Sequence, residues 1–115
     1  MGSVQYYISP SGENPISDFL DTLKQNPQAK LLRIFKYIEL YGLQSILPHV
    51  KKLTGTPLWE IRILGRDNIR VFYIIFAKDE ILALHGFVKK SKKAPKGEIS
   101  IAISRYEEWT KRIDI

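Results

Sequence analysis

Leu58-Trp59-Glu60-Ile61-Arg62-Ile63-Leu64, Ile69-Arg70-Val71-Phe72-Tyr73-Ile74-Ile75-Phe76-Ala77 and Ile81-Leu82-Ala83-Leu84-His85-Gly86-Phe87-Val88 are three apolar runs in close succession. Gly65-Arg66-Asp67-Asn68 and Lys78-Asp79-Glu80 separate them. The runs have the lengths of strands and are rich in β-branched and aromatic residues, and the separators are turn-forming, so the stretch predicts a three-stranded antiparallel meander. In the first run, alternation sets Trp59, Ile61 and Ile63 against Glu60, Arg62 and Leu64. The second is apolar almost throughout, as expected of a central strand covered on both faces. Its two sides carry Arg70, Phe72, Ile74 and Phe76 against Val71, Tyr73 and Ile75.

Upstream, Val4-Gln5-Tyr6-Tyr7-Ile8-Ser9 reads as a short first strand ended by the turn Ser9-Pro10-Ser11-Gly12. Asn14-Pro15 supplies an N-cap and a proline at the first helical position, and Phe19, Leu20 and Leu23 give the helix one apolar side. Asn26-Pro27 repeats the start signal. Leu31, Ile34, Phe35, Ile38 and Tyr41 follow at the spacing of a buried helical stripe, with Gly42 at the C-cap position. The two helices are expected to form a hairpin with Lys30, Arg33 and Lys36 outward. Residues 42–55, containing Pro48, His49, Lys51 and Lys52, read as a loop. Downstream, residues 95–112 predict a helix with Ile99, Ala102, Ile103 and Tyr106 on its inner stripe and Ile113 beyond. The order of strand, two helices, meander and helix predicts an α+β domain with its helices collected on one face of the sheet.

At 115 residues and 44% hydrophobic content the chain is expected to be one folded domain, residues 1–115. The absence of cysteine excludes disulfides and thiolate metal sites. No apolar run approaches the roughly 20 residues of a membrane span and no signal-peptide pattern leads the chain, so a cytoplasmic location without membrane association is expected. The chain has no GxxxxGK[ST] phosphate loop, no GxSxG elbow and no carboxylates paired for hydrolysis. His49 and His85 stand far apart without acidic residues at ligand spacing, so neither a metal nor another cofactor is expected. The chemistry left is that of basic side chains.

The net charge of +6 is not spread evenly. Residues 1–48 and 99–115 are each balanced, whereas residues 49–98 hold eleven basic and five acidic side chains. A concentrated excess of this kind attracts phosphates and makes binding salt-dependent. Its densest part is His85-Gly86-Phe87-Val88-Lys89-Lys90-Ser91-Lys92-Lys93-Ala94-Pro95, where a strand runs into four lysines within five positions. A hairpin loop of Gly65-Arg66-Asp67 would place Arg62 opposite Arg70 on one sheet face, and a loop one residue longer would turn them to opposite faces. Two adjacent arginines repel unless an anion lies between them, so the first register suggests a bidentate phosphate clamp. Otherwise Arg62 pairs with Glu60 or Asp67, and Arg70 with a carboxylate of the last helix. Lys89, Lys90, Lys92 and Lys93 are expected beside these arginines, with Lys51 and Lys52 on the rim of the same groove. His85 has the unperturbed pKa of a general base, about 6.5. A mid-strand histidine is also commonly a satisfied structural one.

Lys52-Leu53, Leu58-Trp59-Glu60-Ile61-Arg62, Ile69-Arg70-Val71-Phe72-Tyr73 and Leu84-His85-Gly86-Phe87-Val88-Lys89-Lys90-Ser91-Lys92-Lys93-Ala94-Pro95 together resemble the phage-derived Gp49-like branch of the RelE/HigB toxin superfamily. The resemblance spans roughly the last two thirds of the chain and implies the RelE-like order of elements. It implies a type II toxin that cleaves mRNA on the ribosome, the 2′-hydroxyl attacking the adjacent phosphate while basic groups stabilise the developing charge. By resemblance, Arg70 corresponds to the phosphate-stabilising arginine of the central strand. Arg62 matches a basic position on the preceding strand, and Lys90, or Lys89, the basic residue at the end of the last strand. The tyrosine or histidine-aspartate set that some relatives carry near the C-terminus has no clear counterpart, since Tyr106 falls on the inner stripe. This leaves His85 or a lysine to move the proton. The implied partner is a HigA-like helix-turn-helix antitoxin, through which alone the toxin would reach operator DNA. Its docking surface would be the helical half around Lys24 to Lys36. The alternatives are a nucleic-acid-binding module without catalysis and a phage structural or assembly component.

Overall fold

The computed structural model describes residues 1–65 and 68–113. The elements are β1 (Ser3–Tyr6), α1 (Pro15–Thr22), α2 (Gln25–Tyr41), a 3-10 helix (Leu43–His49), β2 (Val50–Lys52), β3 (Trp59–Ile63), β4 (Ile69–Ala77), β5 (Glu80–Val88) and α3 (Lys96–Ile113). The protein is thus α+β: a short first strand, helices, an antiparallel-rich sheet and a C-terminal helix, compatible with a RelE-like fold.

The helix starts follow local chemistry. Asn14 Oδ1 accepts the Ser17 N–H at 3.1 Å, and Pro15 opens α1 where no backbone donor is needed. The second start differs from the expectation. α2 begins at Gln25 with Lys24 as its cap, so Asn26 is already helical and Pro27 sits in the first turn, where its missing N–H costs no bond. Gln28 Nε2 ties the two helices together by donating to the Leu20 carbonyl at 2.8 Å. Gly42 closes α2 at φ 82°, its N–H bonded to the Ile38 carbonyl. A Cβ there would press on the Asp79 carboxylate, which accepts the Leu43 N–H at 2.8 Å and so joins the β4–β5 turn to the 3-10 helix.

β3, β4 and β5 form the expected meander inside a larger, five-stranded sheet of order β1-β5-β4-β3-β2. β1 lies parallel to β5, and β2 runs antiparallel to β3 with Lys51 opposite Glu60. β2 falls in the segment expected to be loop. Three residues, two of them lysines, carry too little apolar pattern to read as a strand, and β2 exists because β3 offers it a free edge. The turn expected at Gly65-Arg66-Asp67-Asn68 includes Arg66 and Asp67, which lie outside the described residues. The pairing on either side is described and sets Arg62 opposite Arg70.

The helices do not gather on one face of the sheet, and here the expectation is corrected. α1 and α2 cover one face, where Ile16, Leu20, Leu31, Ile34, Phe35 and Ile38 meet Ile61, Ile63, Val71, Tyr73, Ile81 and Ala83. α3 covers part of the other, with Ile99, Ala102, Ile103, Tyr106 and Trp109 against Phe72, Ile74, Leu82, Leu84 and Phe87. The cause is the composition of β4 and β5. Both present apolar side chains in both directions, and burial at about 25 cal/mol per Å² rewards a layer on each side. Among the described residues α3 packs mainly on β5 and β4, with no comparable packing on β3 or β2. That part of the sheet is left without a helix.

Candidate nucleic-acid interface

The uncovered region takes its polarity from alternation along β3. Ile61 and Ile63 point into the α1/α2 core, so Glu60 and Arg62 point the other way, together with Lys51 and Arg70, their cross-strand partners. The two arginines do lie side by side, but the protein itself provides the anion between them. Glu60 Oε1 is 3.6 Å from Arg62 Nε and 3.8 Å from Arg70 Nε. Arg70 is only 5% exposed and also donates to the Ile69 carbonyl at 3.1 Å. Burial pulls its pKa below the ordinary arginine value, the charge of Glu60 opposes that, and Arg62 adds to it. A guanidinium in such surroundings requires a carboxylate, which is why Glu60 is buried beside it. The arrangement is therefore a carboxylate bridging two arginines, in place of an open two-arginine clamp. Arg62 faces solvent, its side chain 42% exposed, and also lines a groove with Lys30, Arg33, Tyr37 and His49.

The lysines separate into distinct positions. Lys51 is exposed on the face of Glu60 and Arg62. Lys52 is tied back into its own loop, its amine donating to the Thr56 carbonyl and lying 5.9 Å from the Trp59 ring centroid. Lys89 continues the β4–β5 ladder by one bond, its N–H donating to the Asn68 carbonyl at 3.0 Å. Lys89, Lys90 and Lys93 then line a surface cavity with Phe87, Ser91 and Glu98. Phe87 is the cross-strand partner of Arg70, so this cavity adjoins the arginine pair across β4 and β5. Lys92 is exposed and outside the cavity.

His85 owes its direction to a β-bulge. Tyr73 pairs with Ala83 while Phe72 pairs with His85, leaving Leu84 as an extra residue on β5. Leu84 packs toward α3, and His85, one residue on, faces α3 as well. Gly86 then turns to the opposite side, where a Cβ would overlap the Phe19 ring of α1. The His85 ring lies against Phe87 at a centroid separation of 5.6 Å, with Nε2 2.6 Å from Glu98 Oε1 and Nδ1 3.0 Å from Arg105 Nη1. Arg105 also donates to the Leu84 carbonyl at 2.9 Å, filling the edge that the bulge opens. Arginine has no acceptor, so Nδ1 must accept and Nε2–H must donate to Glu98. Burial lowers the His85 pKa below 6.5; the hydrogen bond to Glu98 opposes this, and Arg105 reinforces it. The histidine is a neutral, fully bonded group of the kind expected of a structural histidine.

Glu98 and Arg105 were not singled out from the sequence. The available signal is their spacing of seven residues, two helical turns, which puts opposite charges on one side of α3. Tyr106 is partly buried against the α3 core, as its place on the inner stripe predicts. Among the described residues no group of three His, Asp or Glu side chains is placed to hold a metal ion, and no helix is long and apolar enough to cross a membrane.

No curated protein matches the chain. The family model described as "Phage derived protein Gp49-like (DUF891)" matches residues 18–107, from within α1 to within α3, and so takes in the arginine pair, the lysine loop and the histidine. The chain belongs to this Gp49-like family, a family of RelE/HigB-like toxins associated with toxin-antitoxin systems.

Proposed function

We propose that the protein is the toxin of a type II toxin-antitoxin pair and acts as a ribosome-dependent endoribonuclease of the HigB kind. The observation that carries this reading is a set of basic groups that runs from the β2–β3 part of the sheet to the cavity at the start of α3. Lys51 and Arg62 stand at one end, and Lys89, Lys90 and Lys93 at the other, in a chain of the Gp49-like family. Lys51 and Arg62 on the sheet and the lysines of the loop that follows β5 suit a single RNA strand, whose phosphates supply regularly spaced negative charge. Lys90 is proposed to contact the scissile phosphate and stabilise the charge that builds on it, and Arg62, at the other end of the set, to hold a neighbouring phosphate. Lys51, Lys89, Lys92 and Lys93 bind the flanking backbone, and Lys52 joins them only on leaving the Thr56 carbonyl. Arg70 acts from beneath, holding Glu60 and through it the orientation of Arg62. The antitoxin is proposed to be a HigA-like helix-turn-helix protein, and the site of action the cytoplasm.

Induced expression should arrest growth, and the pair Arg62→Ala with Lys90→Ala should relieve the arrest without loss of folded protein. Unimpaired growth in the presence of abundant folded wild-type protein contradicts the reading.

A further inference from the structure

We propose that Glu98 is the catalytic proton acceptor of this site and that His85 and Arg105 are its positioning residues, an assignment that rests on the endoribonuclease reading above. Glu98 is the one carboxylate lining the lysine cavity of Phe87, Lys89, Lys90, Ser91 and Lys93 among the described residues. It shares that cavity with three lysines yet forms no ion pair with any of them, so its cations and its carboxylate stand apart across open space. A cavity built this way accommodates a phosphate on the lysines and a hydroxyl on the carboxylate at the same time.

The bonds around Glu98 fix it for that task. One oxygen, Oε1, is held at 2.6 Å by His85 Nε2–H, while the side chain as a whole remains 38% exposed. The second oxygen is free to accept. His85 cannot be the acceptor itself, because Nδ1 already receives a hydrogen bond from Arg105 and a proton placed there would oppose a guanidinium N–H. Arg105 in turn is anchored on the Leu84 carbonyl exposed by the bulge. The charged and titratable groups facing Glu98 are thus His85 from β5, Arg105 from α3 through His85, and Lys89, Lys90 and Lys93 from the loop. With RNA in the cavity, Glu98 takes the proton of the 2′-hydroxyl as the O2′–P bond forms. The P–O5′ bond breaks, and the departing 5′-oxygen takes a proton from the Lys90 ammonium. The products are a 2′,3′-cyclic phosphate and a 5′-hydroxyl, with no change of oxidation state.

The test is the single-turnover cleavage rate of mRNA on programmed ribosomes, measured against pH for wild type, Glu98→Gln, Glu98→Asp and His85→Gln. Glutamine keeps an acceptor for His85 Nε2–H, so the staple to β5 persists while the proton acceptor is lost. The expected result is a fall of about 100-fold or more in Glu98→Gln with ribosome binding and melting temperature unchanged. The pH dependence of its rate should also differ from that of wild type, since the group that accepts the proton is gone. Glu98→Asp should recover part of the rate, and His85→Gln should fall by about tenfold, since it misplaces the carboxylate without removing it. Cleavage by Glu98→Gln within about threefold of wild type overturns the assignment and leaves the endoribonuclease reading intact. A loss in Glu98→Gln that merely follows weaker ribosome binding also overturns it. If wild type itself leaves the mRNA whole, the endoribonuclease reading falls and the assignment with it.

Discussion

The two faces of the sheet are built from the same strands and behave oppositely. On the α1/α2 side, β3 contributes Ile61 and Ile63 and β4 contributes Val71 and Tyr73 to a closed apolar layer. One residue along each strand, the other side receives Glu60, Arg62 and Arg70, and α3 covers only the β4–β5 part of it. A strand's twofold alternation thus lets one side be spent on stability and the other on charge. The division is not complete. Glu60 and Arg70 are charged yet buried, and they belong energetically with the core although they lie on the open face.

Substitutions can break this comparison, and the largest effect should come from the closed face. Tyr73→Ala removes a ring that is 1% exposed and should cost about 3–5 kcal/mol, read as the shift of a denaturant midpoint. Next is Glu60→Ala, which leaves the buried Arg70 guanidinium without its carboxylate and should cost about 3 kcal/mol. Arg62→Ala, which removes the exposed member of the same cluster, should cost under about 1 kcal/mol in the same titration. Equal losses for the two would show that the exposed and buried members are not energetically distinct.

The histidine sharpens the comparison through pH. His85 has a pKa lowered from 6.5 in the folded chain, so as pH falls below about 6.5 the unfolded chain takes up a proton that the folded chain resists. Its contribution is full above that pH and declines as pH drops toward the folded value. Melting temperatures recorded across this range should therefore fall in wild type more steeply than in His85→Gln. The smallest stability effect is expected at Lys90→Ala, which should leave the melting temperature unchanged while weakening RNA binding. The slope of log affinity against log salt should become shallower by about one. A lowered melting temperature with unchanged RNA affinity would make that lysine structural.

What could be read from the sequence follows the range of the interactions involved. The meander, the Asn14 cap, the α2 stripe from Leu31 to Ile38 and the Arg62–Arg70 register are set by local periodicity and turn length and are legible. Tyr41, expected on the same stripe, instead lies at the end of α2, past the buried residues, and is 67% exposed. β2 is not legible because three residues with two lysines become a strand only when β3 is beside them. The split of the helices over both faces hinges on where α3 returns after the lysine loop, which no local pattern states, although the two-sided apolar character of β4 hints at it. The bulge at Leu84 is likewise invisible to a period-two reading, and it is what aims His85 at Glu98 and Arg105. The concentration of basic residues between positions 49 and 98 is legible in the composition. Its internal pairing through Glu60 depended on burial, which decides whether an arginine pair waits for a phosphate or is already neutralised.

The central claim is that the open basic face cleaves RNA held on the ribosome, and primer extension along mRNA on translating ribosomes tests it most directly. Purified wild-type protein should produce new 5′ ends within the translated region, and Arg62→Ala combined with Lys90→Ala should not. Full-length extension products with folded wild-type protein bound to those ribosomes would contradict the account.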